Sequence, residues 1–282
     1  MGKCVRSLAY LAQRHLLRRP RLSARADEFG LVLRFKTADV MGRHIYKYGV
    51  YEEGISRFLL ANLTLEPGDC FIDAGANIGW YSLLLARHLP AGVRGLAFEP
   101  DPDTFALLEE NLRGNGAVAV AAKRLALSDE AGRRTLYRYA DKNTGRNSLL
   151  PINTHGQVEI EAARLDETIR REGLDPVRIR FLKVDVEGYE PMVLRGMGEL
   201  LGRVPLILSE YSPRYMRRGG LDPALYLDLL YGAGYEAWTF AEEGLRPVAR
   251  AALERCTANT NLLWLGAAPL HPPLRRDPRR SA

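Results

Sequence analysis

The chain of 282 residues lacks any uninterrupted apolar run near the roughly 18 residues that a membrane-spanning helix requires. Cysteine is scarce. Cys4, Cys70 and Cys256 stand far apart, with no C-x-x-C pair and no Cys/His ligand spacing. That argues against a disulfide framework and a zinc site, and it suits a reducing, cytoplasmic setting. Acids are missing from residues 1–26, which carry Lys3, Arg6, Arg14, Arg18, Arg19, Arg21 and Arg25. Arginines interrupt every apolar stretch there, so the segment does not read as a secretory leader. The dinucleotide fingerprint G-x-G-x-x-G is absent as well: counted from Gly75, its further glycines would fall where Asn77 and Trp80 stand.

The net charge of +6 is unevenly placed. Residues 1–26 hold seven positive charges and residues 271–282 a net three, so the stretch between them is net −4. A nucleic-acid binder carries its positive charge along the binding face, and this body does not. Attraction of the tails to an anionic membrane or glycan surface stays open. The expected organisation is a solvated basic arm (1–28), a strand/helix extension (29–68), a main domain (69–267) and a Pro/Arg-rich tail (268–282).

Hydrophobic periodicity gives the fold class. Leu31 to Phe35 and "HIYKYGV" read as short strands, and "EEGISRFLLANL" as an amphipathic helix. From Cys70 onward strand and helix alternate: "CFIDAG", "GWYSLLLARHL", "VRGLAFEP", "DTFALLEENLRGNG", then "AVAVAAKRLAL" as a third strand. The alternation pauses at two paired strands, "RRTLYRY" and "QVEIEAARL". It resumes with "LDETIRRE", "IRFLKVDVEG", a helix over 189–200, "VPLILSEY" and "DPALYLDLLYGAG". "YEAWTF" and "TNLLWLG" supply an antiparallel edge. The class is therefore α/β, a doubly wound, mostly parallel sheet.

Such sheets bind ligands beyond the carboxyl ends of their strands. Five apolar runs end there in acids: Asp73, Glu99, Asp129, Asp185 with Glu187, and Glu210. Gly75 and Gly79 allow close approach at the first strand–helix turn, beside Asn77. An acid at that turn suits a cationic ligand better than a pyrophosphate. Glu99 is placed to accept ribose hydroxyls and Asp129 an adenine amino group. Adenine, ribose and an amino-acid sulfonium together describe S-adenosylmethionine. Singly, each feature has a plain alternative in a tight turn or a helix N-terminus.

"FIDAGANIGWYS", "AFEPDPDTFALLEENL", "ALSDEAG", "RLDET" and "FLKVDVEGYEPMVLRGM" resemble the FkbM family of S-adenosylmethionine-dependent methyltransferases, from about residue 45 to about residue 211. The resemblance implies a class I methyltransferase fold and methyl transfer, usually to an oxygen of a glycan or small natural product. It also implies that Asp73, Gly75, Asn77 and Gly79 line the methionine part of the cofactor, Glu99 the ribose and Asp129 the adenine.

Methyl transfer requires alignment of acceptor, methyl and sulfur, and removal of the acceptor's proton. Asp185, Glu187 and Glu210 are the candidate bases, Asp185 first. Its alternative roles are holding the methionyl ammonium or capping the following helix. Asp185 and Glu210 could share a divalent metal, but no third ligand is assignable, so none is expected. His44 and His155 are minor candidates for the base. Residues 141–153, with Asn143, Arg146 and Asn147, are expected to border the acceptor site. The expected acceptor is a sugar, glycan or secondary-metabolite hydroxyl. The competing readings are an RNA methyltransferase and a non-catalytic nucleoside-binding module.

Overall fold

The computed structural model describes residues 3–139, 144–153, 155–241 and 244–267. Helix α1 (Lys3–Leu11) continues through a wider turn at Ala12–Leu16 and rests on helix α2 (Val40–Tyr48). Between them, β1 (Arg21–Ala26) and β2 (Leu31–Lys36) form an antiparallel hairpin. Its alternation is strict: Leu22, Ala24 and Ala26 face inward with Leu31, Leu33 and Phe35, and all six are buried. The free edge of β2 is not left open. Asn111 of helix α5 (Pro102–Gly114) and Asn115, which caps its C-terminus one turn later, each present a side-chain amide to it. The backbone N–H of Val32 and of Arg34 donate to the Asn115 and Asn111 side-chain oxygens at 2.9 and 2.6 Å. The Asn115 and Asn111 amide nitrogens donate to the Val32 and Arg34 carbonyls at 2.8 and 3.0 Å.

The expectation of a solvated arm over 1–28 is corrected by this packing. Lys3, Arg18, Arg19, Arg21 and Arg25 are exposed, but Arg6 and Arg14 are half-buried, every second residue of β1 belongs to the core, and Tyr10 of α1 is buried too. The expected strand "HIYKYGV" is also corrected, because it lies within α2. The Asp39 carboxylate caps that helix by accepting the Gly42 N–H at 2.7 Å, and Gly49 ends it at φ +77. Met41 and Ile45, four apart, face inward. Helix α3 (Glu53–Asn62) follows as expected.

The main sheet then winds in two directions. One half runs β3 (Cys70–Ala74), helix α4 (Trp80–His88), β4 (Arg94–Phe98), α5 and β5 (Val120–Lys123). Next, β6 (Ala126–Leu127), β7 (Gly132–Arg138) and β8 (Gly156–Ala163) form a separate three-stranded sheet in the order β6-β8-β7. The other half runs helix α6 (Leu165–Arg171), β9 (Ile179–Val184), helix α7 (Glu190–Arg195), β10 (Leu206–Tyr211), helices α8 (Pro213–Arg218) and α9 (Pro223–Gly232), β11 (Glu236–Ala241), β12 (Gly244–Pro247), helix α10 (Arg250–Glu254) and β13 (Thr260–Leu265). The strand order is β12-β11-β13-β10-β9-β3-β4-β5. From β10 to β5 all pairs are parallel; β13 is antiparallel to both its neighbours.

This is the expected doubly wound sheet with an antiparallel edge. The chain reverses its winding between β3 and β9, which opens a crevice at their carboxyl ends. Alternate strand residues feed two cores: Phe71 and Phe181 pack on the side of α4, and Ile72 and Leu182 on the side of α7. The third expected strand is split. Only Val120–Lys123 joins the main sheet, and Ala126–Leu127 turns away into the small one. The helix expected over 189–200 stops at Arg195, and Gly198 then adopts φ +53. Among the described residues no helix is long and apolar enough to cross a membrane.

Candidate active site

A crevice of about 290 Å³ lies at the switch point between β3 and β9. Its floor is built by the turn after β3. Gly75 takes φ +75, and a Cβ there would overlap the carbonyl oxygen of Asp185. Only glycine lets the two strand ends approach this closely. The Gly75 and Ala76 N–H groups both donate to the Phe98 carbonyl, at 3.0 and 2.9 Å, which ties the turn to β4. Asn77 follows at φ +51, and its Oδ1 is buried without a hydrogen-bond partner among the described residues.

Glu99 closes one side. Its Oε2 accepts the Asn77 N–H at 3.0 Å and its Oε1 the Asp101 N–H at 2.9 Å. Burial outweighs these two bonds and pushes its carboxyl up to about 8. Phe98, Leu125, Leu127 and Leu136 make this flank apolar. Gly145, Arg146 and Asn147 border the crevice as expected for the 141–153 segment, while Asn143 lies outside the described residues. Asn147 is held near Asp101, whose carboxylate caps α5 and accepts from Arg138 at 2.6 Å.

The opposite flank is acidic. Carboxylate oxygens of Asp185, Glu187 and Glu210 come within 4.8 Å of one another. The sequence offered no third ligand for a cation, and the structure supplies Glu187; three such oxygens can hold a divalent ion. Glu210 lies inside β10 rather than after it. It accepts the Ser212 hydroxyl on one oxygen and the Asn259 amide on the other at 3.3 Å. Burial and the neighbouring Asp185 charge raise its carboxyl to about 7. Glu187 is raised well above the ordinary carboxylate range by burial and by Glu210 and Asp185.

Sequence reasoning missed three members of this cluster. Lys183 is buried in β9, with its ammonium 3.4 Å from Asp185 and 3.5 Å from Asp73, and it donates to the Gly75 carbonyl at 3.1 Å. Burial alone would push it down, but Asp185, Asp73 and Glu52 outweigh that and hold it charged. A lysine inside the apolar run "FLKV" was the available signal. Glu52 takes a left-handed conformation at φ +43 just before α3 and bonds Tyr81 and Asn261. Its carboxyl is raised by burial and by Asp185. Glu190 is fully buried at the start of α7. Its Oε1 accepts the N–H groups of Val186 and Gly188 at 3.0 and 3.2 Å, which clamps the turn that carries Asp185 and Glu187.

The remaining sequence candidates lie elsewhere. Asp73 sits beneath the floor, 1% exposed, where it accepts from the Ser82 N–H and hydroxyl at 3.1 and 2.7 Å. It anchors α4 and faces Lys183; it does not line the crevice. Gly79 starts α4 at φ +95 against Leu108, a packing position rather than a lining one. Asp129 is corrected. Because β5 ends at Lys123, Asp129 follows the small sheet, pairs with Arg195 at 3.3 Å and stays outside the crevice lining. His44 packs tilted against Tyr48, at 4.5 Å between ring centroids, and edge-on against Tyr51, and it does not line the crevice.

Comparison of the sequence with known proteins identifies the family. Residues 73–237 match the methyltransferase FkbM domain, more than half of the chain. The chain therefore belongs to the FkbM family of S-adenosylmethionine-dependent methyltransferases. It is 34% identical over 171 residues to methyltransferase sdnD of Sordaria araneosa, covering 50% of this chain and 64% of the relative. It is 32% identical over 173 residues to the hexuronic acid methyltransferase AglP of Haloferax volcanii, covering 61% and 64%. It is 32% identical over 169 residues to the 31-O-demethyl-FK506 methyltransferase FkbM of Streptomyces tacrolimicus, covering 50% and 64%. In each case the chain spans just under two thirds of the relative's length.

Proposed function

We propose that the chain is an O-methyltransferase that uses S-adenosylmethionine to methylate a hydroxyl of a sugar, a glycan or a polyhydroxylated metabolite. The observation that carries this reading is the division of the crevice. A turn with Gly75, Asn77 and Glu99 beside an apolar flank stands opposite a carboxylate of raised proton affinity, Glu210. The turn and flank fit the cofactor. Gly75 leaves room where any side chain would clash, Asn77 Oδ1 offers an unused acceptor, and Glu99 offers two oxygens to ribose hydroxyls. Bound S-adenosylmethionine would supply an electrophilic methyl group on a sulfonium.

Glu210 then takes the acceptor proton. A base works best when its proton affinity matches the operating pH, and burial sets this carboxyl at about 7. Asp185, the first candidate from sequence, is ion-paired with Lys183, which suits it to orienting the cofactor's cationic end. Relatives named for a hexuronic acid and for 31-O-demethyl-FK506 support an oxygen acceptor. The same carboxylates disfavour a polyphosphate acceptor such as RNA.

The test combines acceptors and variants. Radiolabelled S-adenosylmethionine is offered with uronic-acid glycosides, hydroxylated macrolides and RNA; label is expected in the first two. Turnover should rise with pH through about 7. Glu210→Gln should keep S-adenosylhomocysteine affinity and lower turnover by about 10²–10⁴-fold, the worth of a positioned base. Asp185→Asn should weaken cofactor binding instead. Label in RNA alone, or a Glu210→Gln enzyme of unchanged rate, would sink the proposal.

A further inference from the structure

The first helix is packed with its faces reversed. In α1 and the turn after it, the residues turned toward the body are polar or aromatic. The Tyr10 hydroxyl donates to the Thr37 carbonyl, Arg14 donates to Tyr10 at 3.1 Å, Gln13 donates to Tyr46 at 2.9 Å, and Arg6 meets Asp27 at 3.5 Å. The side left to solvent is apolar. Val5 is 52% exposed, Leu8 68%, Leu11 49% and Leu16 81%. Helical spacing places Val5 and Leu8 on one face, opposite Arg6 and Tyr10. Among the described residues, half of the large exposed apolar side chains fall between Val5 and Leu17, so this is a patch and not scatter.

Basic residues rim the patch. Lys3, Arg18, Arg19 and Arg21 are exposed beside it, and Arg43 of α2 borders the groove between the two helices. Residues 3–26 contain no acid. Carboxylates beside the helix are already engaged: Asp27 with Arg6 and Arg25, Glu28 and Glu53 with Arg57, Glu52 with Tyr81 and Asn261, and Glu110 with Arg21 and Arg34. The charge identifies the occupant. A second copy would bring like charges face to face, and the chain's own C-terminal stretch, with Arg275, Arg276, Arg279 and Arg280, is basic too. An apolar stripe within a cationic rim is complementary to the headgroup region of an anionic bilayer.

We infer that α1 and its following turn dock this protein on the surface of an anionic membrane, with Val5, Leu8, Leu11 and Leu16 in the interface. Helix α2 carries Val40, 38% exposed, and Arg43 toward this face, while Met41 of the same helix lines the crevice. Docking therefore sets the crevice about one helix diameter, ~10 Å, from the lipid surface.

The test is co-sedimentation of the full chain with phosphatidylcholine vesicles, with and without phosphatidylglycerol. Binding is expected on the mixed vesicles only, and it should fall as salt rises. Leu8→Glu combined with Leu16→Glu, and separately Arg18→Glu with Arg19→Glu, should each weaken it at least tenfold, because a basic residue near the surface contributes about that factor or somewhat less. Both variants should keep the wild-type melting temperature and S-adenosylhomocysteine affinity, since the altered side chains are exposed. As a second readout, a polarity-sensitive maleimide on the exposed Cys4, in a Cys256→Ser background, should shift to the blue on the mixed vesicles. No binding to mixed vesicles, equal binding to neutral ones, or a dimer in sedimentation equilibrium that Leu8→Glu dissolves would each overturn the inference. All these readouts are independent of methyl transfer.

Discussion

Replacing Gly75 by alanine tests the idea that the crevice floor depends on a near-contact between two strand ends. Two costs combine. The backbone is left-handed at φ +75, which costs a non-glycine residue about 1–2 kcal/mol. The added Cβ also overlaps the Asp185 carbonyl, so the β3 turn and the β9 end must part by about 1 Å. Forced overpacking adds about 1–3 kcal/mol. A total of about 2–5 kcal/mol corresponds to a fall of roughly 4–20 °C in melting temperature. Gly116→Ala separates the two costs. Gly116 is left-handed as well, at φ +66, but nothing lies within 4 Å of its added Cβ. It should lose only the backbone cost, roughly 2–8 °C, and keep S-adenosylhomocysteine affinity. Gly75→Ala should lose at least tenfold in that affinity by calorimetry, since parting the strands moves Asn77 away from Asp185. If the two variants melt alike and bind alike, the close approach does not shape the site.

Glu99→Ala should weaken cofactor binding by about 1–3 kcal/mol, the usual worth of two hydrogen bonds to a neutral group, and an unchanged dissociation constant would remove Glu99 from the ribose role. Glu190 is held by burial and by the Glu210 charge at about 8 when folded, against 4.5 as its ordinary value. Its proton is therefore retained by the folded state while the unfolded chain loses it, so this group's contribution to stability is fully present below pH 4.5 and is lost as pH rises toward 8. Glu190→Gln removes that loss, at most roughly 5 kcal/mol at 1.36 kcal/mol per tenfold change in proton affinity. Its melting temperature relative to wild type should be more favourable at alkaline than at mildly acidic pH; a pH-independent difference would refute this. Leu22→Asp buries an unpaired charge in the hairpin and should lower the melting temperature clearly, whereas a truly solvated arm would leave it unchanged.

The winding sheet was legible because its signal is redundant: apolar runs of strand length alternate with helical periodicity, and each turn carries Gly, Asn or Asp. Local stretches with conflicting signals were not. "HIYKYGV" is rich in strand-forming side chains, and the decisive features of α2 lie outside it, in the Asp39 cap and the close packing of Gly42 against Phe35. In the site, Glu99, Asp185, Glu187 and Glu210 were found because strand ends converge in this topology. Asp129 was misplaced because one apolar run, Val120 to Leu127, is divided between two sheets. Glu52 was hidden because it meets Tyr81 and Asn261, behind the crevice lining, through tertiary packing from a turn far ahead of the sheet in sequence. Asp73 shows the complementary error. An acid at a strand end has two directions available, and this one turns down to hold a helix.

The pair of asparagines at the end of α5 has a consequence for association. A hairpin strand with a free edge offers an unpaired row of amides and carbonyls to any passing extended chain, and such edges seed aggregation. Here Asn111 and Asn115 occupy that row as a side-chain imitation of a neighbouring strand, giving one donor and one acceptor at each of two alternate residues. The β2 edge is saturated at these residues without another strand, so it does not offer their backbone groups to a partner.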